Sequence, residues 1–107
     1  MSLDIWLRDS EENEVFSQNI THNLGKMADA AGIYDCVWRP DEHGYSKASD
    51  IIADLRIGIA SMTTAPTHYK QYDSPNGCGL YEHFIPWLIN YLEACEKYPD
   101  AWIGVSR

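Results

Sequence analysis

The stretch LDIWLRDSEENEVFSQNIT, residues 3–21, predicts a β-hairpin and decides the fold class. In its opening LDIWLR, Leu3, Ile5 and Leu7 fall on one face and the intervening residues on the other, which is the period of a half-buried strand. DSEENE then supplies a charged turn, and VFSQNIT resumes with β-branched and aromatic residues. A two-stranded hairpin is marginal in water by itself, so we expect a third strand elsewhere in the chain.

The closing stretch AWIGVS, residues 101–106, alternates in the same way and supplies that third strand. Helical patterns fill the chain between the strands, at about 22–31, 48–63 and 80–97, and the last has the clearest apolar stripe. Pro66 interrupts the second pattern, and the PTHYKQYD that begins there predicts one or two short helical turns.

These patterns together predict an α+β fold in a single domain, residues 1–107. We expect a small three-stranded antiparallel sheet, made of the N-terminal hairpin and the C-terminal strand, packed on one face by about three helices. The chain length and its hydrophobic content of 45% are sufficient for a core of this size.

Charge and apolar run lengths narrow the classes of partner. The formal net charge of -8 comes from 16 Asp and Glu against 8 scattered Lys and Arg, so a long nucleic acid is not an expected partner. An acidic surface of this kind is compatible with a basic protein partner. No apolar run approaches the roughly 18 residues that cross a bilayer, and three cysteines cannot all pair within one chain. We therefore expect a cytoplasmic protein without a membrane segment.

The residues that usually carry metal or nucleophilic chemistry form no local motif. The histidines show no HxxxH or HExxH spacing and the cysteines no CxxC, so we expect no metal site and no cofactor. Cys36 lies beside Asp35, and with His22 or His43 it would make a Cys–His pair. Its apolar surroundings in IYDCVWRP favour a buried small side chain instead.

The junction between the hairpin and the first helix is the strongest candidate site. Free amides at a helix start attract anions, Trp38 offers a stacking face, and Arg39 offers a bidentate cation. Further donors come from the junction and from loops that we expect to close over it. The predicted ligand-binding residues are Asn19, Thr21, His22, Asn23, Trp38, Arg39, Tyr45, Asn76 and Gly77.

A purely structural interpretation of the same residues stays open. Thr21 would cap the helix, Asn23 would tie the following loop, and His22 would satisfy a buried carbonyl. Arg39 would then pair with an acidic residue. Gly25 weakens the first helix by roughly 1 kcal/mol relative to Ala, and either close packing or the approach of a ligand would explain its presence.

Three segments of the chain resemble a family of small proteins of bacteria and their phages. They are NITHNLGKMADAAGIYDCVWRP, NGCGLYEHFIPWLINYLEAC and PDAWIGVSR, and together they cover about half of the chain. The resemblance implies an intracellular bacterial or viral setting and no particular reaction. Where an NGWG-like loop would carry a large aromatic, this chain has Cys78, so the resemblance implies no stacking role there.

Three functions follow as hypotheses. The first is a small non-enzymatic binding protein, a candidate phage-encoded factor, that holds a small anionic or nucleotide-like ligand at the junction. The second is an acidic protein–protein interaction module that engages a host protein. The third is a small enzyme with His22 as general base. A homo-oligomer is compatible with each of them.

Overall fold

The three strands form one antiparallel sheet in the order β2-β1-β3, in a computed structural model that describes residues 1–107. Strand β1 spans Ser2–Arg8, β2 spans Glu14–Thr21 and β3 spans Trp102–Ser106. The inward side chains of β1 are fully buried, as the alternation predicted. The predicted α+β fold, with a hairpin and a C-terminal strand in one sheet, is therefore confirmed.

Five α-helices connect β2 to β3, and three of the chain's turns are 3₁₀. The α-helices are α1 (Gly25–Ala30), α2 (Tyr34–Trp38), α3 (Ile52–Thr64), α4 (Pro66–Lys70) and α5 (Tyr81–Lys97). The 3₁₀ turns are His22–Leu24, Pro40–Glu42 and Ala48–Ile51. The first and third of these turns open the two helices that we predicted from about residues 22 and 48.

The first helical segment follows its predicted boundaries. The Thr21 hydroxyl accepts a hydrogen bond from the Asn23 amide at 3.2 Å, which caps the segment. Gly32, with φ of +76°, takes the left-handed conformation that ends it. Helix α2 was not predicted, because five residues are too few to show a helical period.

Helix α5 forms the floor of the core beneath the sheet. It buries Phe84, Leu88, Tyr91 and Cys95, which lie on the predicted apolar stripe, and also Trp87. The Phe16 ring of β2 stacks on Tyr91 with ring centroids 6.1 Å apart. No helix of the chain has both the length and the apolar composition needed to cross a membrane.

The two outer edges of the sheet differ. The edge of β3 is covered, because the Ile103 amide donates to the Ser46 carbonyl at 2.9 Å and Lys47 forms a bridge with Trp102. At the edge of β2, the indole Nε1 of Trp87 donates to the Asn19 carbonyl at 2.9 Å. The rest of that edge faces a groove beside α5.

Candidate functional site

Trp38 belongs to the core and offers no stacking face. Its side chain is 2% exposed, stacked on Tyr34 at 5.6 Å between ring centroids and edge-on to Phe84 at 6.2 Å. Its indole Nε1 donates to Nδ1 of His22 at 3.0 Å. The predicted role of Trp38 as a ligand platform is therefore wrong, because protein aromatic rings occupy the space around the indole.

Arg39 is also committed within the protein. Its Nε donates to the Tyr34 hydroxyl at 3.3 Å and a terminal nitrogen donates to the Glu42 carboxylate at 2.7 Å. These bonds, with Tyr34 as the larger cause and Glu42 next, raise the pKa of Arg39. The pairing with an acidic residue that the structural interpretation expected is present, and two of the three guanidinium nitrogens already donate within the protein.

Asn23 and Asn19 serve separate parts of the fold. The Asn23 side-chain amide donates to the Cys78 carbonyl at 2.8 Å and ties the helix start to a distant loop. Asn19 pairs with Asp4 across the hairpin, and its exposed side chain stands on the face of the sheet opposite the helices. The structure therefore removes Asn19 from the predicted cluster.

The predicted loop residues build turns of their own. The Asn76 side-chain oxygen accepts from the Cys78 amide at 2.9 Å and from the Ser74 hydroxyl at 2.6 Å, and Gly77 takes a φ of +78°. Tyr45 donates to the Asp54 carboxylate at 2.8 Å, which raises the pKa of Tyr45. Asn76, Gly77 and Tyr45 line none of the clefts beside His22, so their predicted role in contacting a ligand there is wrong. The loop that carries Asn76 and Gly77 does close on the junction, because the Cys78 carbonyl accepts from Asn23.

His22 and Asn23 are the predicted residues that share a cleft. Both line the largest cleft of the molecule, of about 650 Å³, whose other wall is the loop 71–75. Lys26, one helical turn after His22, lines the same cleft. On its other side, the pair His22 and Lys26 borders a second cleft of about 380 Å³ with Gly25, Asp29 and Tyr34.

Lys26 is the one basic side chain of the eight that has neither an ion pair nor an aromatic partner. Arginine residues 39, 56 and 107 pair with carboxylates. The other four cations lie over aromatic rings, at 5.1 to 5.6 Å from the ring centroids; they are Arg8, Lys47, Lys70 and Lys97. In a chain with net charge -8, an unpaired ammonium in the wall of a cleft is available to an anion.

The tautomer of His22 follows from its partner. Indole nitrogen is only a donor, so Nδ1 of His22 must accept and the neutral ring carries its proton on Nε2. Nε2 makes no hydrogen bond within the protein and is a donor to whatever occupies the cleft. A general base at Nε2 would need the opposite tautomer, which would set Nδ1–H against the indole N–H. This geometry counts against the enzyme hypothesis.

Gly25 is required neither by backbone conformation nor by packing. Its φ of -57° is ordinary helix, and a Cβ built there would meet the Tyr34 ring at 3.5 Å, which is normal contact. Close packing, one of the two explanations offered by the sequence, is therefore excluded. The approach of a ligand, the other explanation, is compatible with the position of Gly25 in the smaller cleft.

Cys36 offers no nucleophile beside His22. Cys36 is 2% exposed and its thiol donates to the Ile33 carbonyl at 3.4 Å. Burial, with a smaller contribution from the Asp54 carboxylate, raises the pKa of Cys36 to about 12. Asp35 faces His43, and its Oδ1 lies 3.3 Å from Nε2 of that histidine. The buried small side chain favoured by the sequence is what the structure shows.

No group of three or more His, Cys, Asp or Glu side chains is arranged to hold a metal ion. No family model, no curated protein and no solved structure matches the chain. The candidate site therefore rests on its own geometry. Sequence reasoning missed Lys26 and Tyr34, although the spacing of four between His22 and Lys26 places both on one helical face.

Proposed function

We propose that this protein is a small non-enzymatic binding protein that holds a small anionic or nucleotide-like ligand against Lys26 and His22. The observation that carries the proposal is the unpaired Lys26 ammonium in the wall of the largest cleft. The proposal keeps the ligand class expected from the sequence. It replaces Arg39 by Lys26 as the cation, because Arg39 is bonded to Tyr34 and Glu42.

The polar lining supports an anionic group more than an apolar one. Lys26 supplies up to three donors and His22 supplies Nε2–H. Tyr72 lines the same cleft, and its hydroxyl has no hydrogen-bond partner in the protein. Asp73 also lines this wall, but its carboxylate accepts from the Tyr81 amide at 2.7 Å and is partly engaged there.

The smaller cleft supports a planar group attached to the anion. Tyr34 borders it beside Gly25, where the absent side chain leaves room for close approach. A ligand that places an anion on Lys26 and a ring beside Tyr34 would have the composition of a nucleotide. In the bacterial or phage setting that the resemblance implies, sequestering a nucleotide-like signal is the role we propose.

Isothermal titration with inorganic phosphate and a panel of nucleotides and cyclic nucleotides tests the proposal. We expect at least one compound to bind, and Lys26→Glu to weaken it at least about tenfold, or ~1.4 kcal/mol. Lys47→Glu is the matched control, since it makes the same charge change over the Trp102 ring, outside both clefts. A panel without any binding, or equal affinities for the wild type and Lys26→Glu, would refute the proposal.

A further inference from the structure

A third cleft, separate from the two clefts at His22 and Lys26, lies along the open edge of β2. This groove has a volume of about 450 Å³. One wall is strand residues 15–18, and the other is a stripe of α5 and the residue that follows the helix, namely Asn90, Glu93, Ala94, Lys97 and Tyr98. A strand edge running beside a helix is the geometry into which an extended peptide fits as an added strand.

The backbone groups of β2 that face this groove can be assigned from two bonds. The Asn19 carbonyl accepts from Trp87, so Asn19 points its peptide groups away from β1. The Ile103 amide of β3 donates to Ser46, so Ile103 points its peptide groups away from β1 and its partner in β1 points its own toward β2. The residue of β2 opposite that partner is residue 16, which therefore points toward β1, and the direction alternates along the strand. Ser17, two residues before Asn19, therefore also points its N–H and C=O into the groove.

The outward groups of Ser17 have no partner within the chain, whereas an ordinary sheet edge is protected. Natural edges carry lysine, proline or a covering loop. Strand β2, EVFSQNIT, contains neither lysine nor proline, and no loop covers it as the segment at Ser46 covers β3. The unpaired N–H and C=O of Ser17 are the groups that an incoming strand satisfies.

The charges around the groove indicate what that strand should carry. Glu93 in the groove wall has no ion pair, and the neighbouring cleft beyond Tyr98 adds Asp9 and Asp100. The one cation of these two clefts, Lys97, rests over the Tyr98 ring at 5.3 Å. The net charge of the surface is therefore negative, and it complements a positively charged segment.

We infer that this groove binds an extended, basic peptide segment of another protein, which adds to the sheet beside β2. A second copy of the chain would satisfy the same backbone groups. It would, however, bring another net charge of -8 and set two acidic groove walls against each other. The charge argument therefore favours a basic partner over self-association.

The probe is a synthetic peptide of alternating lysine and valine, compared with a glutamate and valine peptide of the same length. In titrations followed by amide NMR we expect the basic peptide to shift Ser17, Asn19 and Glu93, and the acidic one to bind at least about tenfold more weakly. No binding of the basic peptide, equal binding of both, or shifts confined to the cleft at Lys26 would overturn the inference.

Ser17→Pro removes the groove-facing amide hydrogen while leaving the bonds to β1 intact, because proline is tolerated on an outward edge position. We expect it to weaken the basic peptide about tenfold, since one backbone hydrogen bond is lost and the ring obstructs the edge. Ser17→Thr, which keeps the amide, should bind as the wild type does. Equal binding by Ser17→Pro and the wild type would contradict the inference.

Three further measurements keep the result unambiguous. Glu93→Lys reverses a charge on an exposed helix position and should weaken the basic peptide even if Ser17→Pro does not fold. Sedimentation of the wild type should show a monomer; a dimer that Ser17→Pro abolishes would mean that a second copy fills the groove and would refute the inference. Lys26→Glu should leave peptide binding unchanged, which separates this outcome from that of the proposed function.

Discussion

The buried side of the first helical segment and its open side use similar side chains in opposite ways. On the buried side, the Trp38 indole bonds to His22, and at the exposed rim the Arg39 guanidinium and the Asn23 amide also bond to protein acceptors. On the open side, Lys26 and the Nε2 of His22 have no such partner. Polar residues that crowd a helix start are thus explained mostly by structure, and the unpaired ones are the candidates for binding.

Replacing Trp38 should have the largest effect on the buried side. Trp38→Ala removes a core indole and leaves Nδ1 of His22 without its donor, so we expect a loss of about 3–5 kcal/mol in the free energy of unfolding. Denaturant titration measures it. The matched control is Trp102→Ala, since Trp102 is 50% exposed and should cost about 1 kcal/mol or less. Equal losses for the two would break the comparison.

The hydroxyl of Tyr91 tests whether an unpaired polar group always implies binding. It is fully buried without a hydrogen-bond partner, and burial raises the pKa of Tyr91 well above its usual value. Removing an unsatisfied buried group relieves a desolvation cost, so Tyr91→Phe should stabilise the protein by about 1 kcal/mol in thermal or denaturant unfolding.

The control for that change removes a satisfied hydroxyl. Tyr81 donates to the Met62 carbonyl at 2.9 Å, so Tyr81→Phe should lose about 1 kcal/mol. Because the pKa of Tyr91 is raised on folding, its ionisation also opposes the folded state as pH rises above about 10. The wild type should therefore lose stability more steeply there than Tyr91→Phe. A destabilised Tyr91→Phe would mean that the hydroxyl has a partner after all.

Gly25 sharpens the comparison on the open side, with the smallest expected effect on stability. Gly25→Ala should raise the free energy of unfolding by about 0.5–1 kcal/mol, because it removes backbone entropy at a helical position with room for a Cβ. The same variant should bind the ligand of the Lys26 site more weakly, which calorimetry measures. Gly32→Ala is the control: Gly32 has φ of +76°, so the change should destabilise. Unchanged affinity in Gly25→Ala would remove the ligand explanation for this glycine.

The fold was predictable because its signals are local and repeated. The alternation in β1 and β3 and the stripe of α5 each extend over several residues, so the strands and the long helices were found near their observed bounds. Helix α2 was missed because its five residues are too few to show a helical period, and the Phe84 ring on which its Trp38 packs is distant in sequence.

The site was predictable only in part, because whether a polar side chain is free depends on partners far away in sequence. Asn23 bonds to Cys78, 55 residues later, and Trp38 reaches back 16 residues to His22. Nothing local marks these bonds. Lys26 was missed for the opposite reason. An isolated lysine in a sequence is typical of an ordinary solvated residue, and Lys26 becomes a candidate only because the structure gives every other cation a partner.

The position of β1 in the middle of the sheet has a consequence for biosynthesis. Its neighbour β2 is made within moments of it, whereas β3 lies almost at the other end of the described chain, and the pair Asp4 and Ser106 closes the sheet. During translation the hairpin can form early but keeps one flank of β1 uncovered until residues 102–106 emerge. A ribosome that stalls before that point would leave β1 with an unpaired edge that can associate with other chains. Rapid elongation and chaperone binding should therefore matter more for this protein than for one whose sheet is assembled from consecutive segments.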